Sequence, residues 1–272
     1  MELYGLIGHP LGHSFSQAYF NEKFHHLHPN SVIARRNDEA TRRLTDRREV
    51  IYKYENFDLE DISLIENLLK NHPNLKGFNV TSPYKESIMP YLSGYEPAVA
   101  EIQAVNTVKV LPDGRLWGYN TDILGFKTLL EESGFQGSSA LVLGTGGASK
   151  AVQYVLRQKG IAYQLVSRDP LRGDFTFFSL TPCILEGHPL LINTTPLGTF
   201  PKVDESPLIP YEAITPRHIL IDLVYNPSET LFLRQGHLHG AKTFNGLTML
   251  HAQAAASWKI WQNLFLDVFI KN

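Results

Sequence analysis

The sequence predicts an α/β protein of two domains, and three observations carry that prediction. Its 272 residues exceed one small module; at ~100–200 residues per domain they make one large domain or two modest ones. Short apolar runs alternate with helix-spaced stretches, the pattern of parallel strands joined by crossover helices. One of those runs, Ala140–Leu143, passes through Gly144-Thr145-Gly146-Gly147 straight into a helix-spaced stretch, a strand–turn–helix unit. Composition agrees. A hydrophobic share of 43% supplies a sizeable core. The 25 Lys+Arg against 27 Asp+Glu give a net charge of −2, which speaks against a general nucleic-acid or membrane-surface binder. The single cysteine, Cys183, excludes an internal disulfide framework and a cysteine-rich zinc site, and it fits a reducing, cytoplasmic setting. No stretch approaches ~18 uncharged apolar residues. The N-terminus lacks a basic n-region, so no cleaved signal is expected.

The elements follow in order. Leu3–Ile7 reads as a strand ending in a Gly-Pro-Gly loop, and Phe15–Leu27 as a helix with Ser14 as its N-cap. Ile51–Phe57 is a second strand. Asp58 is placed to cap a helix over Leu59–Asn71, whose Leu59, Ile62, Ile65, Leu68 and Leu69 keep helical spacing. Leu75–Val80 is a third strand, and another helix is expected from Pro83. Past Asp122, Ile123–Ser133 reads as a helix, Ala140–Leu143 as a strand, Ala148–Lys159 as a helix and Ala162–Val166 as a strand. Leu190–Asn193 and Ile219–Leu223 are further strands, and a helix from about Leu247 to Phe269 closes the chain. The expected organisation is a first domain over residues 1–120 with a mostly parallel sheet, a second over 121–246, and a C-terminal helix (247–272) packing back on the first.

The glycine turn is the context that a dinucleotide fingerprint needs, and it makes the second domain Rossmann-like. Gly144 permits the turn, Gly146 lets the backbone approach a pyrophosphate, and the amides near Gly147–Ser149 are placed to donate to it. Ser149 stands where the simple fingerprint has its third glycine. The following strand ends Val166-Ser167-Arg168-Asp169. A carboxylate there commonly holds the ribose 2′-OH of NAD. Here Ser167 is neutral and Arg168 can make a bidentate contact to a 2′-phosphate. That favours NADP(H) over NAD(H), although Asp169 would repel the same phosphate.

Four polar motifs occupy loop positions in and just after the first domain: His13-Ser14-Phe15-Ser16, Asn79–Lys85, Ala104–Thr107 and Asn120-Thr121-Asp122. In an open parallel sheet, loops at the strands' C-terminal ends gather in one crevice. Hydroxyls, amides, a lysine and an aspartate gathered there suit a small polyhydroxylated acid and can move a proton. Each has a plainer reading taken singly. Ser14 and Asp122 are possible helix caps, Asn79 and Thr81 turn residues, Lys85 a solvated surface cation. His25, His26 and His28, like His237 and His239, lack nearby cysteines or a metal-ligand spacing, so no metal is expected.

Along nearly its whole length the chain resembles shikimate dehydrogenase. The family's S-x-S motif corresponds to Ser14 and Ser16, and N-V-T-x-P-x-K is intact at Asn79–Lys85. A-V-N-T stands at Ala104–Thr107, N-T-D-x-x-G at Asn120–Gly125 and G-x-G-G-A at Gly144–Ala148. Asn193-Thr194-Thr195 is similar to its N-A-T-type loop. D-x-x-Y-x-P appears as Asp222–Pro227, and G-x-x-M-L-x-x-Q as Gly246, Met249, Leu250 and Gln253. The resemblance implies reversible NADPH-dependent reduction of 3-dehydroshikimate to shikimate. It implies Lys85 and Asp122 as the catalytic pair. Ser14, Ser16, Asn79, Thr81, Asn106, Tyr225 and Gln253 would bind substrate. Gly144, Thr145, Gly146, Gly147, Ala148, Ser167, Arg168, Thr195, Leu223 and Gly246 would bind cofactor, the last two lining the nicotinamide pocket. A monomer or homodimer acting on small molecules, without nucleic acid or membrane, is expected.

Two departures stand out. The family's N-R-T motif is reduced to Arg168, with Asp169 in place of threonine. The stretch from about His28 to Val50, short in the family, carries Arg35, Arg36, Arg42, Arg43, Arg47 and Arg48 among Asp38, Glu39, Asp46 and Glu49; it reads as a solvated loop or short surface helix. The competing functions are a quinate-accepting or NAD-using relative, a non-catalytic ligand sensor on the same fold, and an interaction protein working through the arginine-rich stretch.

Overall fold

The computed structural model describes residues 1–11, 15–27 and 50–264. The chain divides into two compact units. One comprises Met1–Ala100, Val105–Tyr119 and Ile260–Asn272, the other Glu101–Ala104 and Asn120–Lys259.

The first unit contains β1 (Glu2–Gly8), α1 (Phe15–Leu27), β2 (Tyr52–Asp58), α2 (Ile65–Asn71), β3 (Leu75–Val80), β4 (Gly94–Tyr95), α3 (Pro97–Ile102, whose end passes into the second unit), β5 (Thr107–Val110) and β6 (Leu116–Tyr119). Its six strands run in the order β2-β1-β3-β5-β6-β4. The pairs β1/β2 and β1/β3 are parallel, β3/β5 and β5/β6 antiparallel, β4/β6 parallel. β1 is interior and buried from Leu3 to Gly8, as a strand covered on both faces must be. β2 is an edge strand. Its open side is covered by Asn21 of α1, whose side chain donates to Tyr54 O at 3.2 Å and accepts from Tyr54 N at 3.1 Å.

Two helix expectations in this unit change. The helix after β2 does not begin at Leu59. Asp58 is drawn away, taking the Leu11 amide at 3.1 Å and pairing with His9 at 2.7 Å. Asp61 caps instead, a short 3-10 turn spans Ile62–Leu64, and α2 starts only at Ile65. From Pro83 the chain makes consecutive turns ending in a 3-10 helix at Met89–Tyr91, not an α-helix; Pro90 has no N–H to continue a helical ladder.

The second unit contains α4 (Asp122–Ser133), β7 (Ser139–Leu143), α5 (Gly147–Gln158), β8 (Ala162–Ser167), β9 (Phe175–Thr176), α6 (Pro182–Glu186), β10 (Leu190–Asn193), β11 (Ile219–Asp222), α7 (Leu231–Leu238), β12 (Lys242–Phe244) and α8 (Leu247–Trp261). The last two residues of α8 belong to the first unit. The six strands run β12-β11-β10-β7-β8-β9, all pairs parallel. This is the doubly wound order, reversing between β7 and β10. Along β7, Ala140 and Val142 enter one core cluster while Leu141 and Leu143 enter another, which explains the uninterrupted apolar run. The final helix is shorter than the expected Phe269 end. Lys109 Nζ donates to Ile260 O at 2.9 Å and also bonds the Asn263 side chain, closing the terminus. Residues 265–272 lie outside the described residues, as do Ser14 and the arginines from Arg35 to Arg48. Among the described residues no helix is long and apolar enough to cross a membrane.

Candidate active site

In the first unit, β3 ends in a buried polar cluster. Asn79 is 5% exposed. Its Nδ2 donates to the Asn106 carbonyl at 3.2 Å and to Thr107 Oγ1 at 3.0 Å, and its Oδ1 accepts from Tyr54 Oη at 2.8 Å. Thr107 Oγ1 donates to Asn106 Oδ1 at 3.1 Å. Backbone bonds join the same loops: Val80 N to Asn106 O at 2.8 Å, Thr81 N to Ile7 O at 2.9 Å, Val105 N to Lys85 O at 2.7 Å. The Asn79–Lys85 and Asn106–Thr107 motifs are therefore brought together, with Lys85 half-buried beside them. Ser16, in the first turn of α1, is a hydrogen-bonding neighbour of the Tyr54 phenol. Burial pushes that phenol well above its ordinary pKa, and the Ser16 hydroxyl opposes the shift.

In the second unit, the Asn120–Asp122 motif opens α4. Asp122 is buried, and its amide donates to Asn120 Oδ1 at 3.1 Å, while Asn120 Nδ2 donates to Ala104 O at 2.8 Å. Asp122 is the first helical residue; Thr121 precedes it as N-cap with no side-chain cap bond. Helix α8 meets this turn. Thr121 Oγ1 bonds Gln253 Oε1 at 3.5 Å and lies 3.3 Å from Ser257 Oγ. The approach depends on Gly125, where a Cβ would lie 2.7 Å from Met249 O. Gln253 thus stands one residue from Asp122.

The glycine turn follows β7. Gly144 adopts φ +115° against Thr194, a left-handed geometry that favours glycine. Ser149 is fully buried and bonds Gly144 O at 2.7 Å, so it tightens the turn in place of a glycine. The N-cap of α5 is Gly146, without a side-chain cap bond and with open space where its Cβ would be. The first amides of α5 are thereby left for an anion. Thr145 Oγ1 lies 3.4 Å from Ser167 Oγ at the end of β8. Arg168 is exposed, with no hydrogen-bond or ion-pair partner among the described residues. Asp169 is committed to the next turn, where Oδ1 accepts from Leu171 N at 2.9 Å. These features fit a dinucleotide with its pyrophosphate at Gly144–Ala148 and a phosphate-bearing ribose near Arg168.

Across the switch point, Thr195 half-buries itself after β10, with N and Oγ1 donating to Asn193 Oδ1 at 3.0 and 2.6 Å. Leu223 N donates to Asn193 O at 3.0 Å and Gly246 N to Val224 O at 3.0 Å. Gly246 is required there, since a Cβ would lie 2.1 Å from Leu223 O. Tyr225 is exposed on the loop after β11.

Three side chains carry structural weight that sequence reasoning did not assign. Tyr54 sits in a strand of mixed polarity, Tyr52–Asp58, where nothing in the sequence marks it out. Asp222 opens the D-x-x-Y-x-P segment, whose spacing by itself points to no contact. Arg172 donates to Thr145 O at 3.1 Å, placing a second guanidinium at the glycine turn; its spacing of four from Arg168 in a polar loop was the available signal.

A glycine turn at the switch point of an all-parallel sheet, with arginines past the next strand, defines a dinucleotide-binding unit. Joined to a unit bearing a lysine among buried amides and hydroxyls, it is the build of a nicotinamide-dependent oxidoreductase. Residues 39–108 match the family model of the shikimate dehydrogenase substrate binding domain. A shikimate dehydrogenase (NADP(+)) of Clostridium beijerinckii is 39% identical over 283 residues, covering 98% of this chain and 94% of its own. One of Caldanaerobacter subterraneus is 37% identical, with coverages of 98% and 93%. The crystal structure of shikimate 5-dehydrogenase from Thermus thermophilus in complex with NADP(H) and shikimate superposes with a TM-score of 0.77 at 30% identity, covering 97% of this chain and 94% of that one. The chain belongs to the shikimate dehydrogenase family.

Proposed function

We propose that this protein catalyses the reversible NADP-dependent reduction of 3-dehydroshikimate to shikimate, as a monomer or homodimer in the cytoplasm. The supporting observation is the buried set around Asn79. Bare turn residues have no need of it: a strand end carries an amide whose every hydrogen is spent on Asn106 and Thr107, which fixes its orientation and ties the Lys85 loop to the Asn106 loop. Such preorganised polar groups orient a polyhydroxylated ring.

When bound, NADPH supplies a hydride to the substrate's carbonyl carbon. The chain's own part is electrostatic and protonic. The Lys85 ammonium stabilises charge gathering on the carbonyl oxygen and gives it a proton. Asp122 accepts a hydrogen bond from a substrate hydroxyl. Ser14 and Ser16 donate to the carboxylate; Asn79, Thr81, Asn106, Tyr225 and Gln253 bind the hydroxyls. Gly144, Thr145, Gly146, Gly147 and Ala148 hold the pyrophosphate, Ser167 and Arg168 the 2′-phosphate side with Arg172 beside them, and Thr195, Leu223 and Gly246 the nicotinamide side. The freedom of Arg168 and the commitment of Asp169 to its own turn support NADP over NAD.

The test is a paired assay of 3-dehydroshikimate with NADPH and NADH, then of shikimate and quinate with each oxidised cofactor. Turnover should be best with the NADP pair and shikimate. Lys85→Ala should lower kcat by roughly 10²–10⁴-fold, as loss of a general acid does. Near-full kcat in that variant removes Lys85 from the chemistry, and turnover that prefers quinate or NADH replaces the substrate or cofactor assignment.

A further inference from the structure

Asp222 is a fully buried carboxylate at the end of β11 to which the proposed reaction gives no task. Its Oδ1 accepts from Asn193 Nδ2 at 2.9 Å and from Val224 N at 3.0 Å; its Oδ2 accepts from Thr230 Oγ1 at 2.6 Å. Each donor leads onward. Asn193 turns its own Oδ1 to Thr195 N and Oγ1, and Thr195 Oγ1 accepts from Leu197 N at 3.3 Å. Val224 sits between Leu223 and Tyr225, and its carbonyl holds Gly246 N. Thr230 Oγ1 also accepts from Leu233 N at 3.3 Å, capping α7. One carboxylate therefore fixes the loop after β10, the loop after β11 and the start of α7.

The sheet order says what those loops face. Ligands of a doubly wound sheet lie across the switch point at the strands' C-terminal ends. The glycine turn after β7 and Arg168 after β8 take the pyrophosphate and adenosine side. The loops after β10 and β11 lie on the other side of the switch and take the nicotinamide end.

We propose that Asp222 is a positioning residue for the nicotinamide half of the cofactor, acting through Asn193–Thr195 and the Leu223–Tyr225 turn. It touches neither cofactor nor substrate. A carboxylate suits the task because it presents acceptors only, which forces Asn193 to point its amide nitrogen inward and its oxygen at Thr195. A neutral amide at 222 would offer a donor to one of three donors and leave the Asn193 orientation undetermined. The inference rests on the proposed cofactor, and the test separates the two.

The test compares NADP+ with 2′,5′-ADP, a fragment carrying the adenosine and 2′-phosphate but no nicotinamide, by tryptophan-fluorescence titration, with kcat in parallel. Asp222→Asn should weaken NADP+ about tenfold, the worth of one or two buried hydrogen bonds, and lower kcat, while 2′,5′-ADP binds within about twofold of the wild-type affinity. Thr230→Val, which removes one donor and keeps the carboxylate, should give the same split more weakly, and it carries the test if Asp222→Asn does not fold. Equal loss of both ligands, or no loss of NADP+, overturns the proposal. Wild-type protein that binds NADP+ without turning over substrate overturns the catalytic reading alone, because the titrations need no turnover.

Discussion

Each unit contains a buried polar hub beside some of its candidate residues, and the two hubs are of opposite electrical character. In the first unit the hub is a neutral phenol. Tyr54 is fully buried, stacks on Phe20 with centroids 4.6 Å apart, and joins Ser16 to Asn79. In the second the hub is an acid, Asp222, with three donors on two oxygens. A phenol donates one bond and accepts others, so it relays between side chains that keep some freedom. A carboxylate only accepts, so it dictates the direction of every group around it. The price of that control is desolvation, which pushes the Asp222 carboxyl up to about 6 against the pull of Thr230, Val224 and Asn193. The Asn79 cluster is thus built on neutral groups, and the loops after β10 and β11 on a buried acid.

Breaking the acidic hub should have the larger effect. Asp222→Ala leaves the Asn193 amide, the Val224 N–H and the Thr230 hydroxyl without their acceptor, a loss on the order of 3 kcal/mol, read as the shift in urea midpoint at constant m. A shift under about 1 kcal/mol would mean the donors find other partners.

The acid also makes the second unit sensitive to pH in a direction unlike most carboxylates. Its folded pKa is raised from 3.8 to about 6, so the native state binds the proton more tightly than the unfolded chain. The stabilisation from that proton is complete below 3.8 and is lost as pH rises through about 6. Exposed Asp58, Asp61, Asp113 and Glu131, held low by local hydrogen bonds, act the opposite way. Tyr211 faces Asp222 but is itself pushed up to about 12 and stays neutral. Subtracting the pH profile of Asp222→Asn therefore isolates the one group. The wild-type protein should gain about 1.4 kcal/mol on the variant for each unit that pH falls below about 6. A flat difference between pH 7 and pH 5 would place the proton elsewhere.

How far the sequence disclosed these hubs follows from their chemistry. In the second unit the apolar strands are legible, since a strand buried on both faces is apolar along its length: Leu190–Asn193 matches its observed bounds and β7 agrees within one residue, while the short β9 and β12 escape notice. In the first unit, β4, β5, β6 and α3 were passed over. The β5–β6 hairpin turns on Leu111-Pro112-Asp113-Gly114, a readable P-D-G signal, but its strands are only four residues each. Periodicity cannot mark so short a run. The short helices α6 and α7 were missed for the same reason. Asn79, Asn106 and Thr107, which the structure brings into one buried cluster, stand out in the sequence because their polarity breaks an apolar context. Tyr54 does not, because tyrosine in a strand is ordinary and its hydroxyl partner lies 25 residues away.

That ordinary tyrosine gives the smallest and sharpest contrast. Tyr54→Phe keeps the ring on Phe20 and removes only the hydroxyl, so Asn79 Oδ1 loses a donor inside the core. The expected cost is about 1 kcal/mol, a fall in Tm of roughly 3 °C for a unit of this size. Because the phenol is raised well above its ordinary pKa by burial, it stays protonated across the working range, and the cost should be the same at pH 5 and pH 8. The functional readout should be equally selective. Freed from its relay, Asn79 and Ser16 lose their mutual alignment, so KM for shikimate rises several-fold while KM for NADP+ holds. An effect that appears in the cofactor's KM, or that changes with pH, would mean that the neutral hub is coupled to the charged one and that the two units do not divide the labour as their chemistry suggests.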